Sequence, residues 1–160
     1  MLEHVSTPIK AQRTEAEEST TGLARQPTRN LPPPLASAPL GQGEIILVLG
    51  NLPMKRGFVG GILRQLGYRV LEAGGMTEAQ SLARAEQAVH LLLLDLTVID
   101  TRHLEFALWF RCTYPETRIL VVADSLWELD FHVGVSQKIA LLARPFTPLE
   151  LARVVWRTLA

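Results

Sequence analysis

The sequence predicts an α/β domain in which helices cover both faces of a five-stranded parallel sheet. From Glu44 onward, short apolar runs alternate with segments of helical periodicity, which is the pattern of consecutive βα units. One run, His90–Asp95, contains four consecutive leucines, and strands buried on both faces have such unbroken apolar sequences. Because crossovers are right-handed, few topologies suit five such strands, and the doubly wound order 2-1-3-4-5 is the common one.

The composition indicates one globular domain and argues against several classes of protein. Of the 160 residues, 48% are hydrophobic and 20% are charged, and the formal net charge is zero. We therefore expect no nucleic-acid partner, because such partners require a basic surface. No apolar run approaches the roughly 18 residues of a membrane span, and the N-terminus does not resemble a secretory signal. The single cysteine, Cys112, fits a reducing compartment, so we expect a cytoplasmic protein without membrane attachment.

The N-terminal quarter differs in kind from the rest. Its first part is polar with mixed charges, and Leu31–Pro39 is rich in proline. Such a segment buries too little apolar surface to offset its ordering entropy. We therefore predict a disordered, proline-rich tail or linker over residues 1–42 and a folded domain over residues 43–160. A ligand for a proline-binding protein is the alternative for the tail.

The first strand and helix are predicted from apolar spacing and one glycine. Ile45–Leu49 is a buried strand. The helix that follows carries Phe58, Ile62 and Leu66 four residues apart, which predicts one apolar face. Gly67 comes directly after it, in the position of a C-terminal cap.

The later elements follow from further strand runs and helix caps. Tyr68–Leu71 is a short strand, and a capping box at Thr77–Gln80 opens a helix that runs to about Gln87. The His90–Asp95 strand comes next, before a helix over 102–113. The remaining signals are the strand Arg118–Val122, the capping box Ser125–Glu128, the strand Ile139–Leu142 and the capping box Thr147–Glu150 with a proline at the first helical position.

Five of these stretches together resemble a known family, the receiver domains of two-component response regulators. They occur in the family's order and spacing over residues 44–160. They are Ile46–Asn51, Leu66–Ala73, Leu91–Asp95, Arg118–Val122 and Ala143–Pro148. The resemblance implies a flavodoxin-like fold and a role in signal transduction.

The resemblance also implies what the site should contain, and here the sequence departs from the family. Receivers accept a phosphoryl group on an aspartate that ends the third strand, and Asp95 occupies that position. They bind magnesium with this aspartate and an acidic pair after the first strand, where this chain has Gly50 and Asn51. Magnesium prefers charged oxygen ligands, and phosphoryl transfer depends on the charge that the metal neutralises. We therefore expect magnesium binding to be weak or absent, and we expect no cofactor.

Three further positions differ from the family pattern. The serine or threonine that senses the phosphoryl group is replaced by Ala123, and the aromatic residue that moves with it is replaced by Leu141. The lysine that contacts phosphate is replaced by Arg144, whose planar fork is not equivalent to an ammonium group. For Asp95 the sequence thus leaves two interpretations: a phosphoacceptor, or a carboxylate held by Arg144 in a fixed ion pair.

These departures favour a pseudo-receiver, a non-enzymatic signalling module that acts through protein–protein interaction without phosphorylation. The alternative is an active single-domain response regulator that a histidine kinase phosphorylates on Asp95. The partner of the pseudo-receiver would be a histidine kinase, another regulator, or a second copy bound through the fourth predicted helix, the fifth strand and the fifth predicted helix.

Trp109, Trp127 and Trp156 lie in three predicted helices, either as exposed anchors or folded against the core. The four histidines show no metal spacing, and we expect Cys112 to pack as a small apolar residue.

Overall fold

Five parallel strands form one sheet in the order β2-β1-β3-β4-β5 in a computed structural model that describes residues 31, 35–86, 88–97, 100–124 and 139–160. The strands are β1 (Ile45–Leu49), β2 (Arg69–Ala73), β3 (Leu91–Asp95), β4 (Arg118–Ala123) and β5 (Ile139–Ala143). The described helices are α1 (Pro53–Gln65), α2 (Met76–Ala85), α3 (Thr101–Thr113) and α4 (Pro148–Leu159). The predicted fold class and strand order are confirmed. The capping box predicted at Ser125–Glu128 lies outside the described residues.

Strand β3 is the centre of the sheet, and its leucines supply both halves of the core. All five of its residues are buried. Successive side chains of a strand point to opposite faces. Accordingly, Leu92 and Leu94 belong to one apolar cluster, and Leu91 and Leu93 belong to the other. This two-sided burial is the reason that the strand carries an unbroken apolar run.

The helices divide between the two faces of the sheet. Leu63 of α1 and Val155 of α4 are fully buried in one cluster. Ala79 of α2 and Phe110 of α3 are fully buried in the other. Both faces are therefore covered, as the doubly wound class requires. None of the helices in the described ranges is long and apolar enough to cross a membrane.

Helix α1 differs from its predicted apolar face at one residue. Ile62 and Leu66 are buried as expected, but the side chain of Phe58 is 55% exposed. The buried stripe begins instead at Val59 and continues through Ile62, Leu63 and Leu66, which is the i, i+3, i+4, i+7 pattern. Phe58 lies at the margin of that stripe. The C-cap residue itself is Leu66, and the predicted Gly67 follows it with φ of 96°, in the position that terminates helices in the left-handed conformation.

The two capping boxes that fall within the described residues have different outcomes. At α4, Thr147 Oγ1 accepts from the N–H of Glu150 at 3.1 Å, and Glu150 accepts from the N–H of Thr147 at 3.0 Å. This box is confirmed. The box predicted at Thr77–Gln80 is wrong, because the N-cap of α2 is Gly75, two residues before Thr77, and makes no side-chain cap bond. Glu78 accepts from the N–H of Gly74 at 2.8 Å instead.

Residues 35–42, assigned from the sequence to the tail, pack against the folded domain. Leu35 is only 2% exposed and joins the cluster beneath α1 and α4. Gly41 donates its N–H to the carbonyl of Leu66 at 2.8 Å. The packing therefore starts earlier than the boundary at residue 43, because a few apolar side chains among the prolines reach the core. The other tail residues, except Leu31, lie outside the described residues.

Candidate functional site

The carboxyl-terminal edge of the sheet brings most of the predicted site residues together. Strand β3 delivers Asp95 to this edge, and the pairing of Leu49 with Leu94 places Gly50 beside it. On the other side of β3, Arg144 donates its backbone N–H to the carbonyl of Ala123 at 2.9 Å. Four of the six predicted positions therefore meet around the end of β3.

Asp95 and Arg144 form a buried ion pair. Arg144 Nη2 contacts Asp95 Oδ1, and the two side chains are 16% and 1% exposed. Arg144 Nη1 also donates to the carbonyl of Leu96 at 2.8 Å and to Asp124 Oδ1 at 3.2 Å. Burial lowers the pKa of the Arg144 guanidinium, but an arginine remains charged near neutral pH. Asp95 Oδ2 has no hydrogen-bond partner among the described residues.

Gly50 is packed directly against Asp95. A Cβ at position 50 would lie 3.1 Å from the carbonyl oxygen of Asp95, 3.2 Å from its Cβ and 3.6 Å from its Oδ2. The main chain of Gly50 is bonded on both sides, through its N–H to Ala73 and through its carbonyl to Arg56 Nη1 at 2.6 Å. Asn51 is exposed. The positions of the family's acidic pair therefore hold no carboxylate, and one of them has no room for a side chain without rearrangement.

Arg56 is a residue of this edge that the sequence reasoning missed. Besides the carbonyl of Gly50, it contacts Glu72, with 3.3 Å between Nε and Oε1. Glu72 is also bound by Arg64, with 2.8 Å between Oε2 and Nη1. The sequence contained a signal for this role, because two basic residues, Lys55 and Arg56, lie in the first turn of the helix after β1. This positive charge contrasts with the acidic side chains that the resembled family has at the same edge.

The two predicted switch positions lie in different surroundings. Ala123 ends β4, is fully buried and has no hydroxyl group. Leu141 lies in β5, where its partner on β4 is Val121, and its partly buried side chain packs against the core cluster that contains Phe110. Leu141 therefore does not contribute to the polar edge around Asp95.

The histidines and the cysteine do not assemble a second site in the described part of the chain. His90 Nδ1 accepts from the N–H of Ile45 at 2.9 Å, and His103 Nδ1 lies 2.9 Å from Asp100 Oδ1. No group of three or more His, Cys, Asp or Glu side chains that could hold a metal ion occurs among the described residues. Cys112 is exposed, so its predicted packing is wrong. It lies five residues after the buried Ala107, away from the core-facing stripe.

A shallow apolar groove opens beside the Asp95–Arg144 pair. Its volume is about 320 Å³, and α1 forms one wall while the start of the segment before α4 forms the other. Met54 is 89% exposed and Phe58 is 55% exposed. The lining residues are Met54, Lys55, Phe58, Val59, Arg144, Pro145 and Phe146. Exposed large apolar side chains next to cationic ones are typical of protein-binding surfaces.

The described tryptophans are partly exposed. Trp109 on α3 is 37% exposed, and its ring lies among those of Phe106, Phe110 and Tyr114. Trp156 on α4 is 43% exposed and borders a second groove of about 530 Å³ next to β5. Both rings thus combine contact with the protein and access to solvent. Trp127, His4 and His132 lie outside the described residues.

Comparison with known proteins identifies the fold. No protein-family model and no curated protein matches the sequence. Among solved structures, the chemotaxis protein CheY4 of Vibrio cholerae is 22% identical with a TM-score of 0.64, over 72% of this chain and 98% of CheY4. The response regulator TrrA of Thermotoga maritima, in complex with Mg²⁺ and BeF, is 22% identical with a TM-score of 0.58, over 72% and 98%. The receiver domain of the hybrid histidine kinase CckA is 24% identical with a TM-score of 0.54, over 72% and 99%.

These similarities apply to the whole length of the compared domains. The order β2-β1-β3-β4-β5 and the coverage of 98% of CheY4 mean that the described residues have a flavodoxin-like fold of the CheY-like receiver type. At this level of identity the similarity describes the fold alone.

Proposed function

We propose that this chain is a receiver-like signalling module of a two-component or phosphorelay system that acts by binding another protein, without a cycle of phosphorylation at Asp95. The observation that carries this proposal is the buried contact between Arg144 Nη2 and Asp95 Oδ1. A carboxylate that is 1% exposed and already paired with a cation is a poor nucleophile, because attack requires it to leave that partner.

The residues at this edge do not fit the magnesium ion that the resemblance implies. Gly50 supplies no side-chain ligand, and Asn51 offers one neutral oxygen from an exposed position. The guanidinium of Arg144 contacts Asp95, the one carboxylate left at the three positions that bind magnesium in the family, and Arg56 adds a second positive charge at the carbonyl of Gly50. A divalent cation would have to compete with Arg144 for both Asp95 and Asp124, whereas hard cations require several available oxygen ligands. TrrA was solved with Mg²⁺ and BeF; for the present chain we propose no cofactor.

The groove beside Asp95 supports a function in protein binding. Met54 and Phe58 expose apolar surface that a monomer gains nothing by exposing, and Lys55 adds a positive charge at the rim. Such side chains can act as anchors in an interface. We propose a histidine kinase or another regulator as the partner; CckA itself is a hybrid histidine kinase with a receiver domain.

A second copy of the chain is the alternative partner. The predicted surface consists of the helix predicted to start at Ser125–Glu128, of β5 and of α4. The structure describes β5 and α4. Trp156 and the groove of about 530 Å³ next to β5 support this surface. Sedimentation of the wild type and of Trp156→Ala distinguishes the two partners, since only a homodimer through α4 would dissociate in the variant.

Phosphorylation is tested with a small phosphodonor and magnesium, followed by intact mass. We expect no mass increase in the wild type after a time in which CheY4, as the positive control, is fully modified. Beryllofluoride with magnesium should likewise leave the amide NMR spectrum unchanged. The Asp95→Asn variant is the matched control, because any mass gain that survives in it comes from another residue.

The second candidate, an active single-domain response regulator, rests on a specific observation. Asp95 lies at the end of β3, and its Oδ2 has no hydrogen-bond partner among the described residues. One carboxylate oxygen could therefore still meet a phosphodonor. A mass gain of one phosphoryl group in the wild type and none in Asp95→Asn would establish this function and refute the proposed one.

A further inference from the structure

A histidine joins the starts of the two central strands at the amino-terminal edge of the sheet. His90 directly precedes β3, and its backbone N–H donates to the carbonyl of Ile45, the first residue of β1, at 2.9 Å. Its side chain returns to the same residue, because His90 Nδ1 accepts from the N–H of Ile45 at 2.9 Å. Both main-chain polar groups of Ile45 are therefore bound by a single residue.

The side-chain bond lies just ahead of the regular strand pairing. The register of β1 with β3 begins one residue later, at Ile46 and Leu91. The N–H of Ile45 takes an imidazole nitrogen as its acceptor in place of a carbonyl of the neighbouring strand. Because an unpaired backbone N–H costs stability, the ring of His90 extends the pairing of the two strands by one place.

The bond requires the neutral form of the imidazole. A neutral ring has one donor and one acceptor nitrogen, whereas the protonated ring donates from both. Imidazole side chains change their charge between about pH 5 and 8, and His90 is exposed to the solvent that supplies the proton. Protonation of Nδ1 therefore places a second donor against the N–H of Ile45 and breaks the bond.

The charged residues around His90 do not hold its ring in the cationic form. They belong to the strand starts and loops of this edge and are Glu44, Arg69, Glu86, Glu116 and Arg118. The carboxylate of Glu44 accepts a backbone N–H of the preceding loop. Arg69 and Glu86 bind each other, with 2.7 Å between Nη2 and Oε1. Arg118 donates its backbone N–H to the carbonyl of His90 at 3.0 Å. Among the described residues, no carboxylate forms an ion pair with His90.

We propose that His90 is a pH-sensitive clamp, whose neutral ring holds the first residue of β1 against β3 and whose protonation releases the N–H of Ile45. The pairing from Ile46 onward stays intact. Because the folded state binds the neutral ring, the unfolded chain takes up more protons in the range in which histidines titrate. The stabilisation by the clamp is therefore complete at slightly alkaline pH and is lost as pH falls through that range. This inference does not depend on the proposed function, because no residue of the Asp95 edge enters it.

The test is hydrogen exchange of the Ile45 amide in the full-length chain, measured at about pH 7.5 and about pH 5. Each rate is divided by the rate of the unfolded chain at the same pH, which removes the intrinsic pH dependence. In the wild type we expect the protection of Ile45 to fall about fivefold at the lower pH, the factor that one net hydrogen bond contributes. The amide of Leu47, in the middle of β1 and fully buried, should keep its protection.

Two variants of His90 separate the loss of the acceptor from its titration. His90→Asn offers a side-chain oxygen that accepts a hydrogen bond and does not titrate, so the protection of Ile45 should be the same at both pH values. His90→Phe has no acceptor, and the protection should be low at both.

His103→Asn is the matched control, because the other histidine of the described residues contacts a carboxylate, with 2.9 Å between Nδ1 and Asp100 Oδ1. This variant should keep the acid response of Ile45. The clamp is refuted if Ile45 in the wild type is equally protected at both pH values. It is also refuted if acid lowers the protection in His90→Phe by the same factor as in the wild type, because another group would then be responsible.

Discussion

Gly50 and Asp95 are packed so closely that a Cβ at position 50 would lie 3.2 Å from the Cβ of Asp95 and 3.1 Å from its carbonyl oxygen. Arg144 contacts the carboxylate of the same aspartate. Asp95 is therefore confined both by a neighbouring backbone and by a cation. The absence of carboxylates at positions 50 and 51 is only one part of the difference from a metal site. Gly50 and Arg144 also leave little space for a metal ion beside the Asp95 carboxylate.

Restoring the family's acidic residues therefore should not restore a magnesium site by itself. We expect Gly50→Asp with Asn51→Asp to show no magnesium binding by calorimetry at millimolar concentration, because Arg144 still occupies the Asp95 carboxylate. Adding Arg144→Lys, which replaces the planar fork with a compact ammonium group, should produce measurable binding. Asp95→Asn in the triple variant is the control. Tight binding by the double variant would show that Arg144 yields to the metal.

Removing Arg144 should destabilise the protein more than removing the whole ion pair. Arg144→Met leaves a carboxylate with 1% exposure unpaired, and such a loss costs about 3 kcal/mol. The double variant with Asp95→Asn should recover a large part of this loss, because no buried charge remains. Urea unfolding at neutral pH measures both values.

The control for this pair is an exposed arginine. The side chain of Arg102 is 78% exposed in its contact with Asp100, so Arg102→Met should change the free energy of unfolding by no more than about 0.5 kcal/mol. If Arg144→Met costs as little as Arg102→Met, the Asp95 carboxylate must be solvated in solution and the ion pair has no structural weight.

The three glycines of α1 should respond differently to alanine. A Cβ at Gly57 or Gly61 would meet nothing within 4 Å, so alanine should stabilise the helix by about 0.5–1 kcal/mol at each position. A Cβ at Gly60 would lie 2.8 Å from Glu72 Oε2. Gly60→Ala should therefore displace Glu72 from Arg64 and gain less, or lose stability. Thermal unfolding of the three variants gives the comparison, and an equal gain at Gly60 would mean that the Glu72–Arg64 contact is dispensable.

The cap of α3 should make stability depend on pH in the acidic range. The pKa of Asp100 is lowered chiefly by the hydrogen bond from the N–H of His103. A carboxylate with a lowered folded-state pKa stabilises the protein above its unfolded pKa of about 4, and this contribution is lost as pH falls through the folded-state value. Because the side chain is 38% exposed, the effect is small.

Asp100→Asn keeps a cap acceptor that does not titrate, and Asp100→Ala removes the cap at a cost of about 1 kcal/mol. Urea unfolding midpoints from neutral pH down to about pH 3 should show the wild type approaching Asp100→Asn as the acid protonates. A constant difference between the two proteins across this range would exclude Asp100 as the titrating group.

Alkaline pH should reveal the burial of Tyr68. Its pKa of about 12 lies above the ordinary value of about 10, so the folded state resists ionisation. Its stabilising contribution is complete below pH 10 or so and is lost as pH rises towards 12. Tyr68→Phe should remove this loss. It should be neutral or slightly stabilising at neutral pH, since the hydroxyl has no hydrogen-bond partner among the described residues. Urea unfolding at neutral and at alkaline pH measures both effects.

The sequence predicted the elements whose signals are local. The leucines of β3, the left-handed Gly67 and the capping box at Thr147 each depend on a few neighbouring residues. The box at Thr77 failed because Glu78 reaches Gly74 from a helix that starts at Met76. Local patterns do not decide between helix starts that differ by two residues.

The parts that could not be predicted depend on packing between distant segments. The prolines around Leu35 concealed a few apolar side chains that reach the core, of which Leu35 is fully buried. The role of Arg56 depends on the direction in which α1 presents it to Gly50 and Glu72. The contact of Arg144 with Asp95 was one of two interpretations of the sequence, and the structure contains it.

The parallel sheet separates the two ends of this molecule. Asp95 lies where the strands finish, and Gly41 and Gly43 lie where they start, with strands of five or six residues between them. At about 3.3 Å per residue, that is a separation of at least about 16 Å. A fluorophore or an affinity handle attached at the exposed Gln42, between these glycines, therefore lies at the opposite end of the sheet from Asp95. Immobilised in this way, the protein presents its aspartate unobstructed to whatever macromolecule is passed over it.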